Sequence, residues 1–416
     1  MRKRFVFGIA CILAALLAAP ALAAPAQLEP ANTYAVIVGV LEWPSKTLSG
    51  WSKENRRDQG LYDRLRAMGV PKANMALVLG KEATNANMLK AVKDVARRAG
   101  KGSSFLFYYA GHGYPGSKGI YFASYDAGSR QVPEGFLVND VATILKASYK
   151  GDRVLLMADC CHSGGLAEVA RELSQSGFKA ASVTSASIAK TSASQWTFTC
   201  CVIDALRGRR LLDLDGDGYV SISEAGHDVK EAMNFRHSQH HGFALHGMGK
   251  SFRLSRVRPD EPKARPIPKP YTLRQYVKLD GKGKKAIARI IDCKDGKLKL
   301  ESQRYHSRQI LWHAPDAVAA RKRPDLPAVP ASSLDFPNAL SPEEAGKKAT
   351  VNGKYSKLLR KITVKFDYLA NGAFSDYGHW KFRAYAGYTD LPEGYWVYVY
   401  PDWYIFEKKT EPPKKK

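Results

Sequence analysis

Acidic side chains are in short supply: 39 Asp and Glu stand against 64 Lys and Arg in 416 residues, a formal charge of +25 at pH 7. Such a surplus favours anionic surfaces such as lipid headgroups, wall polymers or acidic proteins. Nucleic acid would suit the same charge, but the chain carries no RNA- or DNA-binding signature, and no nucleic-acid partner is expected. Long apolar runs are absent after the N-terminus, so no later segment is long enough to cross a bilayer. Cysteine is also sparse. Apart from Cys11 there are Cys160, Cys161, Cys200, Cys201 and Cys293. An odd set containing two adjacent pairs makes a poor disulfide framework. At least one free thiol is expected, and a free thiol in an oxidising compartment calls for a functional reason.

The N-terminus points to that compartment. Met1-Arg2-Lys3-Arg4 is basic, Phe5 to Ala19 is apolar, and Ala21-Leu22-Ala23 offers small residues for cleavage. This order reads as a signal peptide over residues 1–23, giving a secreted or periplasmic protein. An uncleaved anchor is the alternative reading. Cleavage removes three positive charges, 25 − 3, and leaves +22.

Strands and helices alternate over residues 30–256. Tyr34 to Val40 is a continuous β-rich apolar run of the kind buried on both faces of a parallel sheet. Ala76–Leu79, Ser104–Tyr109, Arg153–Ala158 and Ala180–Ser185 read as further strands. Thr84 and Asn85 can cap a helix whose stripe is Met88, Val92, Val95, Ala96 and Ala99, ended by Gly100. The fold class is therefore α/β, with a mostly parallel central sheet flanked by helices. A proline-rich linker follows at 257–270. Residues 271–320 alternate around turns as a small β-barrel, 321–345 form a second proline-rich spacer, 346–408 an aromatic-rich β domain, and 409–416 a basic tail.

Two segments carry the chemistry, and each sits where a strand ends. FLFYYAGHG, residues 105–113, sets His112 between two glycines. VLLMADCCHSGG, residues 154–165, sets Cys161 just past another strand. Ligands of open α/β sheets bind beyond the carboxyl ends of the strands, so both side chains should enter one crevice. Cysteine and histidine placed there form a nucleophile and its base. Cys160, pointing to the opposite face, reads as packing, and His162 as structural.

These residues resemble the caspase-hemoglobinase fold, and most closely the bacterial metacaspase-type cysteine peptidases. The resemblance spans residues 34–255, including TFTCCVIDALRG at 197–208. It implies a peptidase acting on protein or peptide substrates, with His112 as base and Cys161 as nucleophile. The backbone N–H groups of Gly113 and Cys161 would form the oxyanion hole. Asp159 would line the pocket for the residue before the cut bond, favouring Arg or Lys. The family places a second acidic residue near the first helix. Within LSGWSKENRRDQ, residues 48–59, the candidates are Glu54 and Asp58. The Q-A-C-x-G sequence of animal caspases is absent, so aspartate specificity is not implied. The competing class is a catalytically silent caspase-like scaffold whose β modules bind an anionic polymer, peptide or glycan.

Residues 213–224 match a twelve-residue EF-hand loop. Asp213, Asp215, Asp217, Tyr219, Ser221 and Glu224 occupy the ligand positions, and Gly218 supplies the sharp turn. Helical segments at 196–206 and 223–235 flank it. Ca2+ is the expected cofactor, in a structural or modest-affinity role because only one such loop is present. No organic cofactor is expected. The later His237, His240, His241 and His246 read as a solvated basic loop. Residues 277–318 resemble the Tudor/Agenet small barrels, in which Tyr305 and Trp312 would serve either as an aromatic cage or as core. The aromatics beyond residue 366 read as packing of a small β domain.

Overall fold

The computed structural model describes residues 26–324, except 46–47, 55, 117, 133, 188–191, 193–195, 280–285 and 305–306, together with two strands at 395–400 and 403–408. The signal segment, Tyr305 and most of the region beyond 324 therefore lie outside the described residues.

Chain order through the first part is β1 (Thr33–Gly39), α1 (Arg57–Ala67), β2 (Met75–Leu79), α2 (Asn85–Arg98) and β3 (Ser104–Ala110). Then come β4 (Gly113–Gly116), β5 (Gly119–Phe122), β6 (Phe136–Leu137), α3 (Asp140–Ser148), β7 (Arg153–Asp159), α4 (Leu166–Gln175) and β8 (Lys179–Thr184). After a break follow α5 (Thr197–Leu206), β9 (Tyr219–Ser221), α6 (Ile222–His237), β10 (Gly242–His246) and β11 (Arg253–Arg256). The central sheet runs β10-β8-β7-β3-β1-β2 and is parallel except for β10.

The continuous apolar runs have a direct cause: each strand buries both faces. Ile37, Leu106, Tyr108 and Met157 pack against α1, α5 and α6 through Leu61, Leu65, Phe198, Val202 and Met233. The alternate residues Val36, Val38, Phe107, Tyr109 and Leu156 pack against α2, α3 and α4 through Met88, Val92, Val141, Leu145 and Val169. The α2 stripe is the one its 3.6-residue spacing dictates. The Thr84 hydroxyl caps that helix by accepting Asn87 N–H at 3.3 Å.

Beyond the extended 257–270 segment, five antiparallel strands form a second core. They are β12 (Tyr276–Leu279), β13 (Ala286–Lys294), β14 (Lys297–Arg304), β15 (Ser307–His313) and β16 (Val318–Ala320), in the order β15-β14-β13-β12-β16. Val277, Leu279, Ala288, Ile290, Leu298 and Leu300 fill it. Trp312 departs from the core reading: on the edge strand β15 it is 42% exposed, with Lys299 Nζ 5.6 Å from its ring. β17 (Tyr395–Tyr400) and β18 (Trp403–Lys408) form an antiparallel hairpin.

The two units are joined by buried ions. Arg209 bridges Asp204 and Glu301 at 3.0 Å each, Arg289 reaches Asp228 and Glu301, and Arg308 binds Asp204 at 2.6 Å. Phe235 stacks on Tyr276 with centroids 4.7 Å apart. The histidine cluster is not a solvated loop. His237 ends α6 and meets the Thr197 hydroxyl at 2.7 Å, His246 lies in β10, and burial pushes His237 and His241 down to about 4.

Candidate active site

Strands β3 and β7 lie side by side in register, with Ala110 opposite Asp159. His112 and Cys161 each follow two residues later, so a shared register places both at one end of the sheet. The loops then touch. A Cβ on Gly113 would lie 2.1 Å from the Cys161 carbonyl oxygen and 2.9 Å from Cys160 Sγ, so only glycine allows this approach. Gly111 is small for a similar reason, since its Cβ would meet the Tyr109 hydroxyl at 2.3 Å. That buried hydroxyl donates to the His112 and Ala123 carbonyls at 2.9 Å each and fixes the turn.

Each reactive side chain has its own partner. His112 Nε2 is 2.8 Å from the Ser49 carbonyl, and Cys161 Sγ accepts Ser192 N–H at 3.2 Å. Among the described residues no hydrogen bond joins His112 to Cys161; such contacts are often long without substrate. Burial pushes the Cys161 thiol up, partly offset by the Ser192 bond. Burial pushes the His112 imidazole down, and the Ser49 carbonyl opposes it. Both shifts favour the neutral pair in the resting site. Cys160 is buried among Val38, Tyr109 and their neighbours, and His162 is buried with left-handed φ of 54°.

Two residues back, Gly39, Ala110 and Asp159 line up across β1, β3 and β7. Asp58, at the start of α1, fills the space Gly39 leaves: a Cβ there would sit 1.7 Å from its Oδ2. Asp58 and Asp159 thus share one face of the sheet, and the Asp58 charge helps raise Asp159. Burial is the main cause, and the Asp159 carboxyl is pushed up to about 6. The Thr199 hydroxyl and backbone N–H donate to Asp159 Oδ2 at 2.6 and 3.4 Å, and the Ser185 side chain adds a third hydrogen bond. Asp58 is paired with Arg56, whose Nε and Nη2 reach its two oxygens at 2.7 and 2.6 Å. Glu54 is exposed on the loop before α1, whereas Asp58 occupies the gap beside Gly39.

In the 213–224 loop, Asp213, Asp215 and Glu224 offer oxygens that all lie within 4.8 Å of one another. Glu224 is oriented by Leu214 N–H at 2.6 Å and Ser221 N–H at 2.8 Å, forming a capping box at α6. Asp217 turns outward to Arg253 at 2.9 Å. Tyr219 and Ser221 lie in β9, which pairs with β11. The donor set is all oxygen, which suits a hard cation.

Sequence reasoning passed over several residues that surround this site. Trp43, Trp51 and the Ser49 carbonyl enclose His112 from a loop without periodicity. Thr199 and Ser185 hold Asp159 from distant elements, and Arg56 pairs with Asp58.

A family profile describing the caspase domain matches residues 33–268. The chain belongs to this family of cysteine peptidases. No curated protein matches it. Among solved structures it is similar to protein GSU0716 from Geobacter sulfurreducens at 15% identity, covering 55% of this chain and 100% of that one with a TM-score of 0.37.

Proposed function

We propose that the protein is an exported cysteine endopeptidase that cuts after arginine or lysine. The observation that carries this reading is the register of β3 with β7, which delivers His112 and Cys161 to one sheet end with Gly113 against Cys161. The Cys161 thiol passes its proton to His112, and the thiolate attacks the peptide carbonyl. The N–H groups of Gly113 and Cys161 receive the oxyanion. The imidazolium protonates the leaving amine, and a water deprotonated by His112 then hydrolyses the thioester.

The pocket supports a basic residue before the cut bond. Asp159 has no cation among its described partners, whereas Asp58 is already neutralised by Arg56. An incoming guanidinium or ammonium supplies the missing charge and ionises Asp159. Ca2+ would be held by Asp213, Asp215 and Glu224, with the Tyr219 carbonyl and Ser221 beside them, and Asp217 would join only by leaving Arg253. Bound there, it would neutralise the loop's carboxylates and fix the start of α6. The test is alkylation by an electrophilic peptide ending in arginine. The proposal expects Cys161 to react far faster than Cys293; equal rates would remove the activated nucleophile.

A further inference from the structure

The loop from β1 to α1 wraps the candidate base in aromatic rings. The Trp51 ring centroid lies 4.2 Å from that of His112, and the Trp43 centroid lies 4.7 Å away. The two indoles meet edge to face at 5.6 Å. None of this geometry is loose. Trp43 Nε1 donates to the Ser124 carbonyl at 2.9 Å, and Ala123 N–H donates to the His112 carbonyl at 2.9 Å. Indole and imidazole are therefore tied to the same short segment. On the other side, Trp51 N–H donates to the Leu41 carbonyl at 2.8 Å.

We propose that Trp43 and Trp51 are positioning residues for His112: their indole rings stabilise its imidazolium and hold the ring in place. This rests on the reading of His112 as the general base.

Three observations converge on it. First, the Ser49 carbonyl can only accept, so the nitrogen bonded to it, Nε2, carries the hydrogen in both protonation states. Nδ1 is then the basic atom. Second, burial disfavours the cation, and among the described residues no hydrogen bond or ion pair from a carboxylate to His112 offsets it. Glu42 is paired with Lys53 at 2.6 Å, Asp58 with Arg56 at 2.6 Å, and Glu54 is exposed. Third, a cation against indole is attracted by the ring quadrupole, most strongly where water is displaced. The proton leaves Sγ and arrives at the imidazole, so a thiolate and an imidazolium form together, and the rings hold the second of these.

The test is an NMR titration of the histidine ring signals of the full mature chain, with His112 assigned by comparison with His112→Gln. Trp51→Leu and Trp43→Leu remove a π face, whereas Trp51→Phe keeps one. The expected result is a downward shift of His112 by about half a unit to one unit in each Leu variant. Trp51→Phe should fall between wild type and Leu, with Nε2 protonated in the neutral form throughout. Variants that stay folded and titrate as wild type overturn the proposal, as does a neutral ring protonated at Nδ1. Should a Leu variant unfold, Trp51→Phe and Trp43→Phe carry the test with a smaller shift. The titration needs no turnover. Peptide cleavage by wild type with an unmoved titration sinks this proposal alone, and the predicted shift in a protein that cleaves nothing sinks only the peptidase reading.

Discussion

Gly113 lies against the Cys161 carbonyl so closely that a Cβ there would come within 2.1 Å of it. The residue after the candidate base and the candidate nucleophile are therefore one packed unit. A side chain at 113 must push the two loops apart while leaving both cores untouched. Gly113→Ala is expected to lower kcat by about 10²–10³-fold, the scale of a lost oxyanion donor. Circular dichroism should remain that of the native fold. Full activity in this variant would remove Gly113 from the reaction.

Asp159 gives a signed pH dependence. Its folded value of about 6 lies above the usual 3.8. The group therefore favours the folded state below about pH 4, and that contribution is lost as pH rises through about 6. Activity on arginine peptides should move the opposite way, rising with pH through the same window as Asp159 ionises. Asp159→Asn should flatten both profiles and abolish the preference for Arg and Lys. Urea unfolding at several pH values and the pH profile of kcat/KM check the two limbs.

The junction between the peptidase unit and the five-stranded sheet rests on Asp204, which faces both Arg209 and Arg308. Removing it takes one carboxylate partner from each of Arg209 and Arg308 and leaves Glu301 to face both of them and Arg289. Breaking a buried pair from one side costs about 3–5 kcal/mol. Asp204→Ala should lower the denaturant midpoint markedly, while Arg323→Ala, whose partner Glu231 is more exposed, should have a small effect. Equal effects from the two variants would mean the network holds nothing.

The 213–224 loop predicts selective metal binding. Calcium titrated into the mature protein should bind with about one ion per chain, and Glu224→Gln should abolish it by removing the residue that closes the site. Calorimetry is the check. Binding retained in Glu224→Gln places the ion elsewhere.

The sequence made the sheet legible because a parallel sheet covered by helices needs apolar residues on both strand faces. β1, β3 and β7 therefore read as unbroken runs. It also singled out His112 and Cys161 as candidates, since each sits in a short glycine-containing turn directly after such a run. What stayed hidden depends on partners far apart in the chain. The Ser49 contact is made by a backbone carbonyl and leaves no residue signature. Trp43 and Trp51 lie in a loop, where spacing has no meaning. The different placements of Glu54 and Asp58 emerge only once Gly39 is seen to leave a gap that Asp58 fills. Trp312 read as core or cage because alternation marks a face without saying whether anything covers it. The histidines of 237–246 read as solvated because polarity alone does not show what covers them.

The most direct test of the central claim is hydrolysis of short fluorogenic peptides ending in Arg, Lys or Asp by the mature protein and by Cys161→Ala. The account predicts cleavage after Arg and Lys, none after Asp, and complete loss in the variant. Cleavage that survives Cys161→Ala, or no cleavage after any of the three in the presence and absence of calcium, would contradict it.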